Sequence, residues 1–535
     1  MTGVRRSGGA RSAMPLGAGL KRDHRCDLGP AAPTAAQTSA RQRTRKVTLG
    51  RGPARKGGDV SGASAGRSYP FPLVLCGVAL GPFTFSLLTT AVLPLVPQLV
   101  THFDTTIGSA NLVVTMAFLS GAVATPLLGR LGDLFGKRRM LVVALTFAAV
   151  GCLLAATTDS LLLLLIARFI QGPGTASIPL GIAVAADLAP PERTRFAIGF
   201  LAMSFPLGAV AGFAVGGAVT DVFGNVHAVF WLLAVLSLLA IAVLLWLVPA
   251  RPAVATGGVD VLGAVLLTAG LLGVLLALSE AGAWGWIAAP TVLSFVAGLV
   301  FLGAWVLVGL RSANPLVDIR TFVRPAVLTA NLASMATGAA QFVILGAVSA
   351  IAQSDPAVAG YGLGLGVFAA SLILVPGMAS QSLGAVWSSR LMGRHPASLV
   401  LAHSLVGVGA VLLAASFWNS SAVALVVVCA VGFPAFGASA ASAAVHIVGV
   451  VDTSERGVAT GMNILLRMIG NAVGLAGMSA IVAAVTPTGS GPPPERGYEL
   501  ALRLFGVLAI ASSIPLLRRR ASIRPRATEP SSSQA

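Results

Sequence analysis

The sequence predicts an all-α polytopic membrane protein of fourteen transmembrane helices in a six, two, six arrangement. Three observations predict it. Of 535 residues, 56% are hydrophobic and only 10% charged. The apolar residues come in blocks of about twenty, the length that crosses a ~30 Å hydrocarbon core. The Lys and Arg of the loops between those blocks fall almost wholly in alternate loops. A soluble domain carries roughly 25% charged residues, so a soluble enzyme is excluded. The net charge of +18 would suit nucleic acid, anionic lipid or membrane orientation, and the placement of the charges decides among them.

Residues 1–68 hold 14 Lys and Arg against Asp23, Asp27 and Asp59, with almost no large apolar residues. Such a segment cannot bury a core, and a disordered basic cytoplasmic tail is expected, acting either as an electrostatic tether or as an inert extension. The first apolar run, from Phe71, is too long for a cleavable signal. Helices are then expected at 71–97, 108–129, 139–158, 161–186, 196–219 and 229–249, two more at 260–279 and 288–310, and six at 325–351, 361–386, 397–416, 421–447, 457–485 and 499–516. The domain plan is a tail (1–68), a six-helix bundle (69–250), two linker helices (251–312), a second six-helix bundle (313–517) and a basic tail (518–535).

An even helix count puts both termini on one side. The loops sharing that side contain thirteen basic residues, among them Arg130, Lys137, Arg138, Arg139, Arg193, Arg311, Arg324, Arg390 and Arg394, whereas the opposite loops offer Arg496, with Arg503 just inside the last helix. The alternation supports both the count and a multi-pass protein of the cell membrane with cytoplasmic termini. The basic balance then needs no nucleic-acid partner. Cys26, Cys76, Cys152 and Cys429 lie far apart without CxxC or Cys/His spacing, so neither disulfides nor a metal site is expected.

Three segments carry candidate chemistry. After the second helix comes Gly129-Arg130-Leu131-Gly132-Asp133-Leu134-Phe135-Gly136-Lys137-Arg138-Arg139. Its glycines allow a tight turn and close helix approach, and Asp133 is placed to pair with a cation or a neighbouring helix N-terminus as a gating latch. In the fourth helix, Arg168-Phe169-Ile170-Gln171-Gly172-Pro173-Gly174 puts a cation inside an apolar run. That costs at least about 2.5 kcal/mol on insertion scales, so Arg168 either faces a polar partner or cavity or snorkels to the surface. In the fifth helix, Gly208, Gly212, Gly216 and Gly217 form a small-residue face suited to close packing and conformational switching.

The first segment resembles the signature between helices two and three of the major facilitator superfamily, and RxxQGxG resembles its fourth-helix motif. The resemblance implies two six-helix bundles around a central cavity, and a role for Arg168 and Gln171 in proton transfer or substrate binding. The fifth-helix glycines are similar to the family's antiporter pattern GxxxGPxxGG, with Phe213 in the place of proline. In the second half, Val386–Arg394 occupies the place of the basic loop, with Arg390 where Asp133 stood, and Arg467-Met468-Ile469-Gly470 supplies a second intramembrane arginine. Together with Asp260-Val261-Leu262-Gly263, this is similar to the fourteen-helix drug:proton antiporter branch, over residues 71–516. That branch carries an aspartate in its first helix, where this chain has Phe85.

No acid is expected near a membrane midplane: Glu280, like Asp104, Asp159, Asp221 and Asp355, is read as lying at an outer end or loop. Proton carriage is left to such peripheral acids or to His403 and His446. Gln341 and Asn463 are the leading uncharged candidates for the substrate cavity, although Asn and Gln also serve as interhelical hydrogen-bonding residues. No GxxxxGK[ST] loop occurs, so ATP is not the evident energy source. The expectation is a transporter and not an enzyme. It would act as a monomer without cofactor, exporting hydrophobic or amphiphilic small molecules through the lipid bilayer in exchange for protons. The alternatives are a narrow-substrate facilitator or importer without proton coupling, and a membrane sensor.

Overall fold

The computed structural model describes residues 70–249, 258, 260–312, 315, 319–451, 456–486 and 493–522. The expected N-terminal tail and most of the C-terminal one lie outside the described residues. Fourteen helices are long and apolar enough to cross a membrane, and no strand occurs among the described residues. In chain order they are α1 Phe71–His102, α2 Ile107–Phe135, α3 Lys137–Ala156, α4 Leu161–Leu188, α5 Thr194–Phe223, α6 Val226–Leu247 and α7 Val261–Trp284. There follow α8 Ala289–Arg311, α9 Pro325–Gln353, α10 Val367–Met392, α11 Ala397–Phe417, α12 Ala422–Val450, α13 Arg456–Val485 and α14 Glu495–Arg518.

Local chemistry sets many of the boundaries. Thr106, Asn225 and Asp260 cap α2, α6 and α7 by accepting backbone N–H groups with their side-chain oxygens, which satisfies otherwise orphaned donors. α2 runs past its expected end at 129, because its glycine-rich segment is helical as far as Phe135. Gly136 alone, at φ 101, separates it from α3; an L side chain would be strained there. α10 begins at Val367 and not at 361, since Gly360, Gly362 and Gly364 all adopt positive φ and hold the chain in turns. α4 and α12 are each interrupted near mid-span at a proline: α4 by a 3-10 segment over Gly172–Ala176, and α12 at Phe433 before Pro434.

α1 packs on α5 in the first bundle as α9 packs on α13 in the second, while α2 meets α13 and α5 meets α10 across the seam. The extra helices α7 and α8 pack on each other, and α7 also lies against α2 and α13, over that seam. We call the end carrying Arg130, Lys137–Arg139, Arg193, Arg311, Arg324, Arg390 and Arg394 the basic end, and the other the outer end. One hydrophobic core joins both bundles and α7. Toward the basic end it gives way to two separate cores, one around Leu141, Leu180 and Leu244 and one around Val327, Leu401 and Ile447. Each of these two smaller cores is confined to one bundle.

Candidate functional site

The seam is closed at the outer end by short-range contacts. Asn111 Nδ2 on α2 donates to Ser479 Oγ on α13 at 2.8 Å. Gln353 Nε2 on α9 donates to the Pro94 carbonyl of α1 at 2.9 Å, and the Phe368 N–H at the start of α10 donates to Asp221 Oδ2 on α5 at 3.1 Å. Gly217 lies so close to Phe368 that an added Cβ would sit 2.6 Å from its Cα.

Helical periodicity follows the same faces toward the basic end, since eighteen residues make five turns of α-helix. Gly129 therefore lies on the face of α2 that carries Asn111, and Gly461 on the face of α13 that carries Ser479. A Cβ at either glycine would meet nothing within 4 Å. On α5, Gly199 shares the face of Gly217, and a Cβ there would also meet nothing within 4 Å; on α10, Val386 shares the face of Phe368 and is 56% exposed. The two helix pairs touch at the outer end and splay at the basic end, leaving a cleft that opens there.

The outer seal includes a carboxylate. Glu280, near the end of α7, accepts a hydrogen bond from Ser109 Oγ in the first turn of α2 at 2.6 Å and is only 8% exposed. Its neighbours explain the burial: Gly108 packs against the backbone of Ser279, and Gly282 against Ala483 of α13. Among the described residues Glu280 is the sole buried acid. It lies at the outer end, as its place five residues before a Gly-Trp turn implies, and the packing of α7 over the seam encloses it. The free N–H groups at the start of α2 provide a positive dipole end opposite the carboxylate.

Arg168 is fully buried and does not snorkel. Its Nε donates to the Val113 carbonyl of α2 at 2.8 Å, and Nη1 donates to Gln171 Oε1. Nη2 and Gln171 Nε2 are both buried without a protein partner, so this pair retains donors for a water or ligand. Gly172 follows at the break in α4, packed against Ser120 and the Ala117 carbonyl of α2. Phe85 is buried against Gly174, where an added Cβ would come within 2.6 Å of the ring. The phenyl group thus fills the space beside the broken helix, where the resemblance led to expect an acid.

The other sequence candidates divide by location. Gly208, Gly212 and Gly216 lie against α1, where added Cβ atoms would collide with the carbonyls of Phe83, Leu87 and Ala91. Gly470 and Gly474 repeat the arrangement against Met335 and Ala339 of α9. Phe213 is fully buried, and α5 continues through it with its one proline at Pro206. Asp133 is exposed and has no ion-pair or hydrogen-bond partner among the described residues. The contact at this end is Lys137 Nζ to Asp187 Oδ2, at 2.8 Å, with Arg138 donating to the Leu245 carbonyl. Gly132 packs against Leu180 of α4. Arg467 on α13 forms no side-chain hydrogen bond or ion pair among the described residues, while its carbonyl packs on Gly338. Gln341 donates to Gln381 of α10 at 2.9 Å in a partly buried setting. Asn463 is buried, donating to Ser334 and Asn331 of α9, so it joins two helices within one bundle.

Comparison with known proteins places these features in context. The family model described as Major Facilitator Superfamily matches residues 78–475. The Triacylglyceride transporter of Mycolicibacterium smegmatis is 36% identical over 161 residues, 30% of this chain and 29% of that protein. The Lincomycin resistance protein LmrB of Listeria monocytogenes is 25% identical over 341 residues, 63% of this chain and 70% of that protein. Several mycobacterial relatives are matched over less than half of their own length. Among solved structures, the POT family transporter PepTSo superposes with a TM-score of 0.59 at 16% identity, covering 85% of this chain and 99% of that one.

Proposed function

The chain belongs to the Major Facilitator Superfamily, and from that premise we propose that it exports hydrophobic or amphiphilic small molecules by alternating access, in exchange for protons. The positive-inside rule assigns the basic end and both termini to the cytoplasm of a cell-membrane protein, so the cleft described above takes its passenger from the cytoplasm. Partly buried amides such as Gln341 and Gln381, without a charged selectivity group beside them, suit a passenger chosen by shape and apolar surface. The similarity to a lincomycin resistance protein agrees with export of such compounds.

The observation that carries the coupling is the burial of Glu280 in the outer seal. Opening that seal exposes the carboxylate to the outer solution; closing it returns the group to a confined place over the start of α2. A proton-carrying group has to be enclosed in one access state and open to solution in the other, and the place of Glu280 in the seal supplies that difference. A protein group must prefer one state in each protonation form for a proton to drive the cycle. The neighbouring elements add no competing charge: residues 107–121 of α2, 470–486 of α13 and 289–303 of α8 contain no ionisable side chain.

The test is flux of lincomycin and of a lipophilic dye in proteoliposomes with and without an imposed pH gradient. In the wild type the gradient should drive accumulation and set its direction. Glu280→Gln should retain substrate exchange while losing at least about tenfold of the gradient-driven component, the scale of ~1.4 kcal/mol of coupling. A wild type indifferent to the gradient overturns proton antiport. A wild type that responds, with a Glu280→Gln variant that responds equally, overturns the role of this residue alone.

A further inference from the structure

A second cluster, unused by the transport scheme, lies at the outer end of the first six helices. His102 ends α1, Asp159 stands in the turn between α3 and α4, and His227 is in the first turn of α6. One ligating atom from each lies within 4.8 Å of the others. Asp159 Oδ1 is 3.8 Å from His102 Nε2 and 3.4 Å from His227 Nε2.

The hydrogen bonds around His227 fix how its ring is used. Asn225 Oδ1 accepts the His227 backbone N–H at 2.8 Å as the α6 cap, which identifies that atom as the oxygen. The same oxygen is 2.8 Å from His227 Nδ1, so Nδ1 carries a proton and donates it. In the neutral ring the lone pair is then on Nε2. Yet Nε2 lies 2.9 Å from the Thr158 carbonyl and 3.4 Å from the Asp159 carboxylate. Electron-rich atoms converge from His227, Thr158 and Asp159, with His102 Nε2 beside them. Such a convergence is repulsive unless a second ring proton or a metal ion stands within it.

We propose that His102, Asp159 and His227 bind a borderline divalent metal ion of the zinc class. Two imidazoles and a carboxylate form a donor set suited to Zn²⁺ and its late first-row neighbours, whereas Ca²⁺ and Mg²⁺ prefer oxygen shells. Ligand bonds of about 2.0–2.1 Å in a tetrahedron put neighbouring donors roughly 3.3–3.4 Å apart. The observed 3.4 and 3.8 Å approach this spacing, and the Asp159 side chain is 85% exposed and free to adjust. The Nδ1–H bond to Asn225 is the outer-shell contact by which metal-bound histidines are oriented. A cavity of about 510 Å³, lined among others by Thr157, Asp159, Asn225, His227 and Trp231, leaves room for a water in the remaining coordination position. All three side chains belong to the first bundle, whereas Glu280 is carried by α7.

The experiment uses the full chain, purified without a polyhistidine tag and titrated with Zn²⁺ against a fluorescent zinc indicator at neutral pH. The expected result is saturable binding in which one site is weakened about tenfold or more by His227→Ala and by Asp159→Asn. His403→Ala should leave that site unchanged, because His403 Nδ1 contacts only the Leu399 carbonyl of its own helix α11. Zn²⁺ should also raise the Tm of the wild type and not that of a His102→Ala/His227→Ala double variant whose metal-free Tm is normal. Wild-type zinc affinity and stoichiometry in the double variant, or no zinc uptake by the wild type, would overturn the assignment.

Discussion

Arg168 illustrates what a single side chain contributes in this setting. Its guanidinium is enclosed, one nitrogen answers a backbone carbonyl of α2, another answers Gln171, and the third is left unsatisfied. A planar fork with several donors is needed for that pattern, and lysine is a single point charge. Arg168→Ala and Arg168→Lys should each lower transport about tenfold or more at equal membrane expression, while Cys429→Ser should stay near wild type; dye efflux normalised to immunoblotted protein checks the ranking. The importance of Arg168 was legible in the sequence, because a charge in an apolar run demands a partner. The identity of that partner was not, since Val113 is reached only through packing of α2 on α4. The place of Glu280 at an outer end was legible as well, but its burial was not, since that comes from Ser109 and α13, which no local pattern announces. The pairing of Phe85 with Gly174 was equally hidden, being a steric agreement between two helices.

At the scale of elements, the glycine faces of α5 and α13 fix how closely paired helices approach. An added Cβ at Gly212 would strike Thr90 Oγ1 and the Leu87 carbonyl, whereas one at Gly199 on the same helix would meet nothing. Gly212→Ala should therefore destabilise the protein by about 1–3 kcal/mol, the usual cost of overpacking. Gly199→Ala should be neutral or slightly stabilising, because alanine is the better helix former. Thermal unfolding in one detergent decides the matter, and equal Tm values would contradict the packing argument. The helices themselves were readable from apolar block length and the alternation of basic loops. Their interruptions at Gly172–Ala176 and Phe433 were less so, because proline is compatible with a transmembrane helix when neighbours satisfy the freed backbone groups.

For the molecule as a whole, the divided core and the splayed helix faces describe one access state, joined outside and parted at the basic end. With the native cysteines replaced, an Asn111→Cys/Ser479→Cys pair should form a disulfide under mild oxidation and stop transport until reduced. Gly129→Cys and Gly461→Cys should instead remain free and react with a membrane-impermeant thiol reagent only from the cytoplasmic side. Facile cross-linking of the second pair in the resting protein, with none in the first, would reverse the assignment of open and closed ends. Two bundles and their motifs were foreseeable from the repeated pattern. The access state was not, because it rests on pairings such as Asn111 with Ser479 and Gly217 with Phe368, which join residues far apart in the sequence and arise only in the assembled fold.

A single buried acid in the outer seal also has an electrical consequence. Under the proposed exchange, an uncharged passenger leaving as one proton enters would carry one net charge inward per turnover and make the cycle electrogenic. Membrane voltage then contributes about 2.3 kcal/mol per 100 mV in addition to any difference in pH. A potassium diffusion potential set by valinomycin, at equal pH on both sides, should move an uncharged substrate through the wild type and leave Glu280→Gln unresponsive.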